Sequence, residues 1–266
     1  MRTLWLPEEV FARERVAYRD LNKTPGDPAH IRTMVMEPTR VLWPDGSVAA
    51  IYDVMSPALF DTAFVSTLRT VAPSSSGRRN GGMPTMHRAF GGQPRWPKRH
   101  VYFACRSNLD RKEPAIASGL VGRAQPLAQW YRSEIPERYE KQMAFTNTVH
   151  RYYRMADLPW TGGVINFDAK PYHRDQANVK DSFNVMLWLR SRSATGGHLV
   201  IPGWRMGFVA GHGHVLLHDA QRTLHGVTHM TGSGWRISVA YYTQAGLAPD
   251  RALPPDEERA QAQERT

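Results

Sequence analysis

Tyr172-His173-Arg174-Asp175-Gln176-Ala177-Asn178 is the stretch on which the reading of the chain turns. A histidine and an aspartate two positions apart, at a strand end running into a turn, can both reach one metal ion. Taken alone the pair is common. Its weight comes from His225 in Leu224-His225-Gly226-Val227, 52 residues beyond His173, and from Arg236 in Trp235-Arg236-Ile237-Ser238, 11 residues further on. Two histidines and one carboxylate make the facial triad of a non-haem iron site, which leaves metal positions open for other ligands. An arginine on the following strand can hold a carboxylate through two parallel N–H donors, as the distal end of 2-oxoglutarate requires. Ser238 lies one pleat beyond Arg236 and faces the same side, so its hydroxyl can add a second contact.

The surrounding sequence predicts the scaffold. From Gly162 onward, short apolar segments alternate with glycines and turns: Gly163–Phe167, Phe183–Leu189, His198–Ile201, Gly207–Val209, His214–Leu217 and Arg236–Thr243. Evenly spaced short strands after a helical lead-in predict an α+β fold. Its core is expected to be a double-stranded β-helix of the jelly-roll or cupin-like kind, flanked by N-terminal helices. Upstream, Thr33–Trp43 and Ser47–Val54 read as a hairpin about Pro44-Asp45-Gly46. Ser56-Pro57 opens a helix of about four turns, with Leu59, Phe60, Phe64 and Leu68 on one face. Val101–Ala104 reads as a short strand, and Ala124–Met143 as helix, breaking at Pro136. Three segments are expected: 1–72, a hairpin and helix packed on the core; 73–248, the oxygenase domain with a basic loop at 74–99; and 249–266, a charged tail.

The chain has 266 residues and a formal charge of +10. Of its 34 basic residues six are lysine, and arginine forks suit phosphate oxygens, so a polyanionic partner fits; arginine-favouring codon usage would give the same balance. The single cysteine, Cys105, allows neither an internal disulfide nor a cysteine zinc site. No apolar run reaches the ~20 residues of a membrane span. Met1–Val10 carries acids and a proline, unlike a secretory leader. The expected setting is the cytoplasm, with no membrane partner, and a monomer.

The same residues resemble the TET/JBP family of iron(II)- and 2-oxoglutarate-dependent DNA-base dioxygenases, in the minimal form found in some phages. The resemblance covers about 75–245 and is carried by Thr161-Gly162-Gly163-Val164-Ile165-Asn166, His173-Arg174-Asp175 with Asn178, Gly196-Gly197-His198-Leu199, His225-Gly226-Val227 and Arg236-Ile237-Ser238. Arg88-Ala89-Phe90-Gly91 with Pro94-Arg95 is similar to the basic loop that precedes the family core. It implies Fe(II) on His173, Asp175 and His225; 2-oxoglutarate on Arg236 and Ser238, with Asn166 as a further contact; and a flipped base in methylated duplex DNA met by Asn178, Arg88, Phe90, Gly91 and Arg95. The implied reaction is hydroxylation of the 5-methyl group of 5-methylcytosine, in a phage-infected bacterial cell. The cysteine-rich zinc region of the animal enzymes is absent.

Alternatives stay open at this level. Thymine differs from 5-methylcytosine only at the hydrogen-bonding edge. The same chemistry could act on a protein side chain or a small metabolite, and a degenerate jelly roll could bind nucleic acid without catalysis. His212, His214, His218 and His229 crowd the distal region but read as surface or supporting residues. His87, His100, His150 and His198 read as ordinary polar positions, and Trp188, Trp204 and Trp235 as core. Asn178 could cap a turn, and Asn166 could satisfy a strand edge. The Arg78–Arg99 segment could be a solvated linker. Arg174 should face away from the metal, toward a phosphate or an acid.

Overall fold

A computed structural model describes residues 1–75, 86–95 and 103–249. The helices are α1 (Val10–Leu21), α2 (Thr62–Thr70), α3 (Asn108–Lys112), α4 (Pro114–Glu134) and α5 (Pro136–Thr148). The strands are β1 (Arg2–Trp5), β2 (Thr33–Val35), β3 (Thr39–Leu42), β4 (Val48–Val54), β5 (Ser74–Ser75), β6 (Met86–Arg95), β7 (Phe103–Arg106), β8 (Gly162–Asn166), β9 (Asn184–Arg190), β10 (Thr195–Gly196), β11 (Leu199–Ile201), β12 (Met206–Phe208), β13 (His214–His218), β14 (Gly226–Val227), β15 (Met230–Thr231) and β16 (Arg236–Tyr242). They form two units. One comprises residues 1–88, 165–176 and 183–240; the other comprises 89–164, 177–182 and the chain from 241.

The first unit is built from two main sheets and the two-stranded ladder β10-β15. In the larger, neighbours run β1-β3-β4-β13-β9-β16, and β13 lies antiparallel to both β4 and β9, with Leu216 opposite Tyr52 and Met186. The smaller runs β14-β11-β12-β2. Tyr52 of the larger sheet meets Phe208 of the smaller at a ring separation of 5.9 Å, and its hydroxyl donates to the Val209 carbonyl at 2.7 Å. Trp43 and Trp204 meet edge to face at 5.3 Å. Buried Val185, Leu187, Leu189, Val215 and Leu217 come from strands whose residues are apolar on both faces, as central strands of a covered sheet must be. This is the double-stranded β-helix fold.

Local chemistry moves several predicted boundaries. The first arm of the expected hairpin divides at Glu37-Pro38: β2 runs parallel to β12 in the smaller sheet, while β3 pairs β4 in the larger. Proline offers no N–H to a ladder, so the strand changes sheet there. The four-turn helix after Ser56 is instead a 3-10 turn, Pro57–Phe60, followed by α2. Asp61 sits between them in extended backbone and accepts the Phe64 N–H at 2.8 Å, so it caps α2 and ends the turn before it. The Ala124–Met143 stretch reaches back to Pro114 and breaks at Ile135, where Pro136 starts α5. The strand expected at Val101–Ala104 runs Phe103–Arg106 within the described residues. Neither β1 nor α1 was signalled by the polar N-terminal sequence.

In the second unit α4 and α5 pack around an aromatic group in which Tyr131 stacks on Trp160 at 6.1 Å and Trp160 meets Tyr241 at 5.6 Å. Buried Gln142 ties this group together, donating to Thr243 Oγ1 at 2.7 Å and accepting from Tyr131 at 3.0 Å. β6 and β7 pair antiparallel, Gly92 opposite Arg106. Among the described residues no helix is long and apolar enough to cross a membrane.

Candidate metal centre

The two metal-ligand segments meet through the backbone. His173 N–H donates to the His225 carbonyl at 2.9 Å and His225 N–H returns the bond at 3.0 Å, a one-residue antiparallel bridge. Such a pair puts both side chains on one side, and the imidazole centroids lie 4.4 Å apart. Asp175 is fixed by its N–H to the Ala220 carbonyl at 3.0 Å. The three side chains offer one donor atom each within 4.8 Å of one another, the only such group among the described residues.

Tautomers follow from the acceptors. His173 Nδ1 lies 2.8 Å from the Pro171 carbonyl and His225 Nδ1 lies 3.1 Å from the Thr223 carbonyl. A carbonyl only accepts, so both Nδ1 atoms carry the proton and both Nε2 atoms present a lone pair. His173 Nε2 stands 3.4 Å from Asp175 Oδ1. The other carboxylate oxygen accepts from Asn184 Nδ2 at 2.9 Å. Burial, then the facing His173, lowers the His225 pKa to about 3, so it is neutral, as a metal ligand must be. Burial disfavours the Asp175 carboxylate, but in the acid range where it titrates the protonated imidazoles of His173 and His225, with Lys170, outweigh burial and hold its pKa below the usual range. Neutral nitrogens, one carboxylate oxygen and supporting hydrogen bonds are the donor set iron(II) takes.

Arg236, at the start of β16, is 2 % exposed. Among the described residues none of its three guanidinium nitrogens has a hydrogen-bond partner. Burial, with Arg190 nearby, lowers its pKa to about 9, which still leaves it charged at neutral pH. A buried, unpaired guanidinium is a strong sign of a missing anion. Gly197 makes room for it: the backbone is left-handed there, φ +67°, and a Cβ would fall 2.6 Å from Arg236 Cδ. Ser238 is buried two positions along, and the Oδ1 of buried Asn166 has no hydrogen-bond partner among the described residues. The residues fit a dicarboxylate co-substrate.

A family model described as the oxygenase domain of the 2OGFeDO superfamily, Tet/JBP, matches residues 100–245, more than half of the chain. The chain belongs to the Tet/JBP oxygenase family. Its cofactors are iron(II) and 2-oxoglutarate, and the His173, Asp175 and His225 group fits iron binding. Among solved structures it is similar to NgTET1 in complex with 5mC DNA, at 13% identity and a TM-score of 0.63, covering 97% of each chain. It also matches a 2OG-Fe(II) oxygenase family oxidoreductase from Burkholderia pseudomallei, at 16% identity and a TM-score of 0.47, over 95% of this chain and 98% of that one. No curated protein matches the chain.

Other Tet/JBP positions singled out in the sequence are placed as follows. Asn178 is buried and forms a backbone bridge with Gln244. Phe90 is 1 % exposed and meets Tyr241 edge to face at 5.5 Å. Gly91 has φ +78°, and a Cβ there would strike Gly162 Cα at 2.6 Å. Arg88 is half-buried, and Arg95 ends β6. Most of the basic segment, residues 76–85 and 96–102, lies outside the described residues, as does the tail from 250. Arg174 does turn toward an acid, Glu14. His212 and His229 are exposed. His214 bonds Tyr52, and His198 accepts the Ala210 N–H at 3.2 Å. Trp188 and Trp204 are core.

Three residues beside the centre, Asn184, Lys170 and Glu14, carried no sequence signal, and His218 read as a surface or supporting residue. Asn184 orients Asp175. His218 is buried edge-on to His225 at 5.2 Å, with neither ring nitrogen hydrogen-bonded among the described residues. Lys170, whose pKa burial lowers, interacts with Asp175 and Arg236. Glu14 arrives from α1. In a single sequence Asn184, Lys170 and Glu14 do not stand out: Asn184 lies nine residues from Asp175, but only the fold turns its amide onto that carboxylate, and the partners of Glu14 lie 160 and 210 residues away.

Proposed function

We propose that this oxygenase hydroxylates the 5-methyl group of 5-methylcytosine in DNA. His173, Asp175 and His225 hold the iron, and Arg236 with Ser238 and Asn166 holds 2-oxoglutarate. The observation that carries the co-substrate assignment is the orphaned guanidinium of Arg236. Iron, 2-oxoglutarate and dioxygen together supply the oxidising power that inserts oxygen into the methyl C–H bond. The side chains hold and orient. The carbonyls of Pro171 and Thr223 keep both imidazole Nε2 lone pairs free for a metal, and Asn184 holds the carboxylate.

DNA as substrate is supported by the Tet/JBP match, by the likeness to a protein bound to 5mC DNA, and by the +10 charge. A methyl carbon stacked within a duplex cannot reach a buried metal, so the base must be flipped out, at a cost of a few kcal/mol. Asn178 is assigned to the base edge, where an amide offers a donor and an acceptor. Arg88 and Arg95 are assigned to phosphates, with Phe90 and Gly91 shaping the strand that carries them. The proposed setting is the cytoplasm of a phage-infected bacterial cell, and the proposed state a monomer.

Incubation with iron(II), 2-oxoglutarate and methylated DNA, followed by nucleoside mass spectrometry, tests the reading. A gain of one oxygen on 5-methyldeoxycytidine is the expected result. The same gain on thymidine would transfer the assignment to thymine. Unchanged nucleosides, with succinate released on a protein or small molecule, would remove DNA as substrate.

Gly197→Ala probes the anchor from its neighbour. A Cβ in left-handed backbone costs about 1–2 kcal/mol and here also presses on Arg236. The KM for 2-oxoglutarate is expected to rise roughly tenfold, the equivalent of ~1.4 kcal/mol. An unchanged KM would show that the guanidinium position does not govern co-substrate binding.

A further inference from the structure

Glu14 lies on the buried face of α1 with Val10 and Ala17 and is 6 % exposed. A carboxylate there is costly, and an apolar residue of the same volume would pack without that cost. Its contacts explain what it does. Oε2 accepts from the Leu224 N–H at 3.2 Å, the peptide directly before His225. The same oxygen takes Arg174 Nη2 at 3.4 Å, the residue between His173 and Asp175. One oxygen thus touches both segments that carry the proposed metal ligands.

The rest of α1 reinforces this link. The Arg174 guanidinium lies over the Tyr18 ring at 4.4 Å. The Tyr18 hydroxyl accepts from Gln176 Nε2 at 2.7 Å, beside Asp175. Ala17 packs in one cluster with Tyr172, Val200 and Leu224. Gly203 is bare where Glu14 passes, since a Cβ there would fall 2.7 Å from the carboxyl carbon.

We infer that Glu14 is a positioning residue for the metal centre, its carboxylate tying the His173–Asp175 segment to the His225 segment and so setting the spacing at which the three ligands meet. The inference rests on the proposed role of that triad. Glutamine at position 14 keeps the shape and an acceptor for Leu224, but removes the charge that holds Arg174.

Manganese(II) binding to the full chain without 2-oxoglutarate, followed by electron paramagnetic resonance, reads this directly, with the thermal melt of the metal-free protein as a check on folding. Wild type should bind one ion and His225→Ala none. Glu14→Gln should bind about 10–100-fold more weakly, the range for loss of a group that orients a metal ligand, while melting within a few degrees of wild type. Wild-type affinity in Glu14→Gln, with binding lost in His225→Ala, would overturn the inference and leave the triad standing. No binding by wild type, or full binding by His225→Ala, would overturn the triad and this inference with it. Should Glu14→Gln fail to fold, Arg174→Met breaks the same pair from the other side. The same weakening there would support the inference, and wild-type affinity would overturn it.

Discussion

His225→Ala is expected to bring turnover down to background and to cost at least on the order of 100-fold in metal affinity. The magnitude follows from a comparison. Removing a group that merely orients a ligand costs roughly 10–100-fold, so deleting a ligand should cost more. Among the described residues no neighbour can take over. His218 is edge-on to His225 at 5.2 Å, but it lies outside the group whose donor atoms come within 4.8 Å of one another. His225 also forms the two-way backbone bridge to His173. An alanine keeps those peptide bonds, so the loss should be chemical rather than conformational. His212→Ala is the control: that imidazole is exposed, bonded to the Arg190 backbone, and should leave turnover unchanged. Succinate release and bound-metal content measure both variants. Normal metal content in His225→Ala would remove this residue from the centre.

Why His225 was legible in the sequence, and Glu14 was not, is a matter of what each residue answers to. His225 belongs to a pattern written along the chain: a histidine and aspartate two apart, a second histidine, then an arginine on the next strand. β8, β9, β11, β12, β13 and β16 were legible for a similar reason, since each is a short apolar run closed by glycine or turn residues. α1 has no such pattern. Its buried face is Val10, Glu14 and Ala17, and the charged residue breaks the apolar stripe that would have marked a helix. Glu14 is buried because of Arg174 and Leu224, partners 160 and 210 residues away. Asn184 is hidden by tertiary structure too: it stands opposite His218 across β9 and β13, and only the fold turns its amide onto Asp175. The split of Thr33–Trp43 between two sheets needed a partner strand, β12, that a local reading cannot supply.

Arg236→Met should produce two effects of opposite sign. The guanidinium is 2 % exposed, and none of its nitrogens is hydrogen-bonded to a described residue. Without co-substrate it is therefore a buried charge that interacts with two other basic groups, Arg190 and Lys170, and such a charge costs several kcal/mol even after relaxation. An apolar side chain of similar length removes that cost, so the metal-free, co-substrate-free variant should melt above wild type. Binding should move the other way. Losing one partner of a buried, hydrogen-bonded charge pair costs about 2–5 kcal/mol, which at tenfold per ~1.4 kcal/mol is roughly 30- to 3000-fold in 2-oxoglutarate affinity. Added 2-oxoglutarate should consequently raise the melting temperature of wild type and leave that of the variant unmoved. Arg236→Lys should recover little, because an ammonium cannot present the parallel pair of donors that a carboxylate takes from a guanidinium. Thermal melts with and without 2-oxoglutarate, on all three proteins, separate the effects. A variant that melts lower than wild type yet still gains stability from 2-oxoglutarate would mean that Arg236 serves the fold and that the co-substrate is held elsewhere.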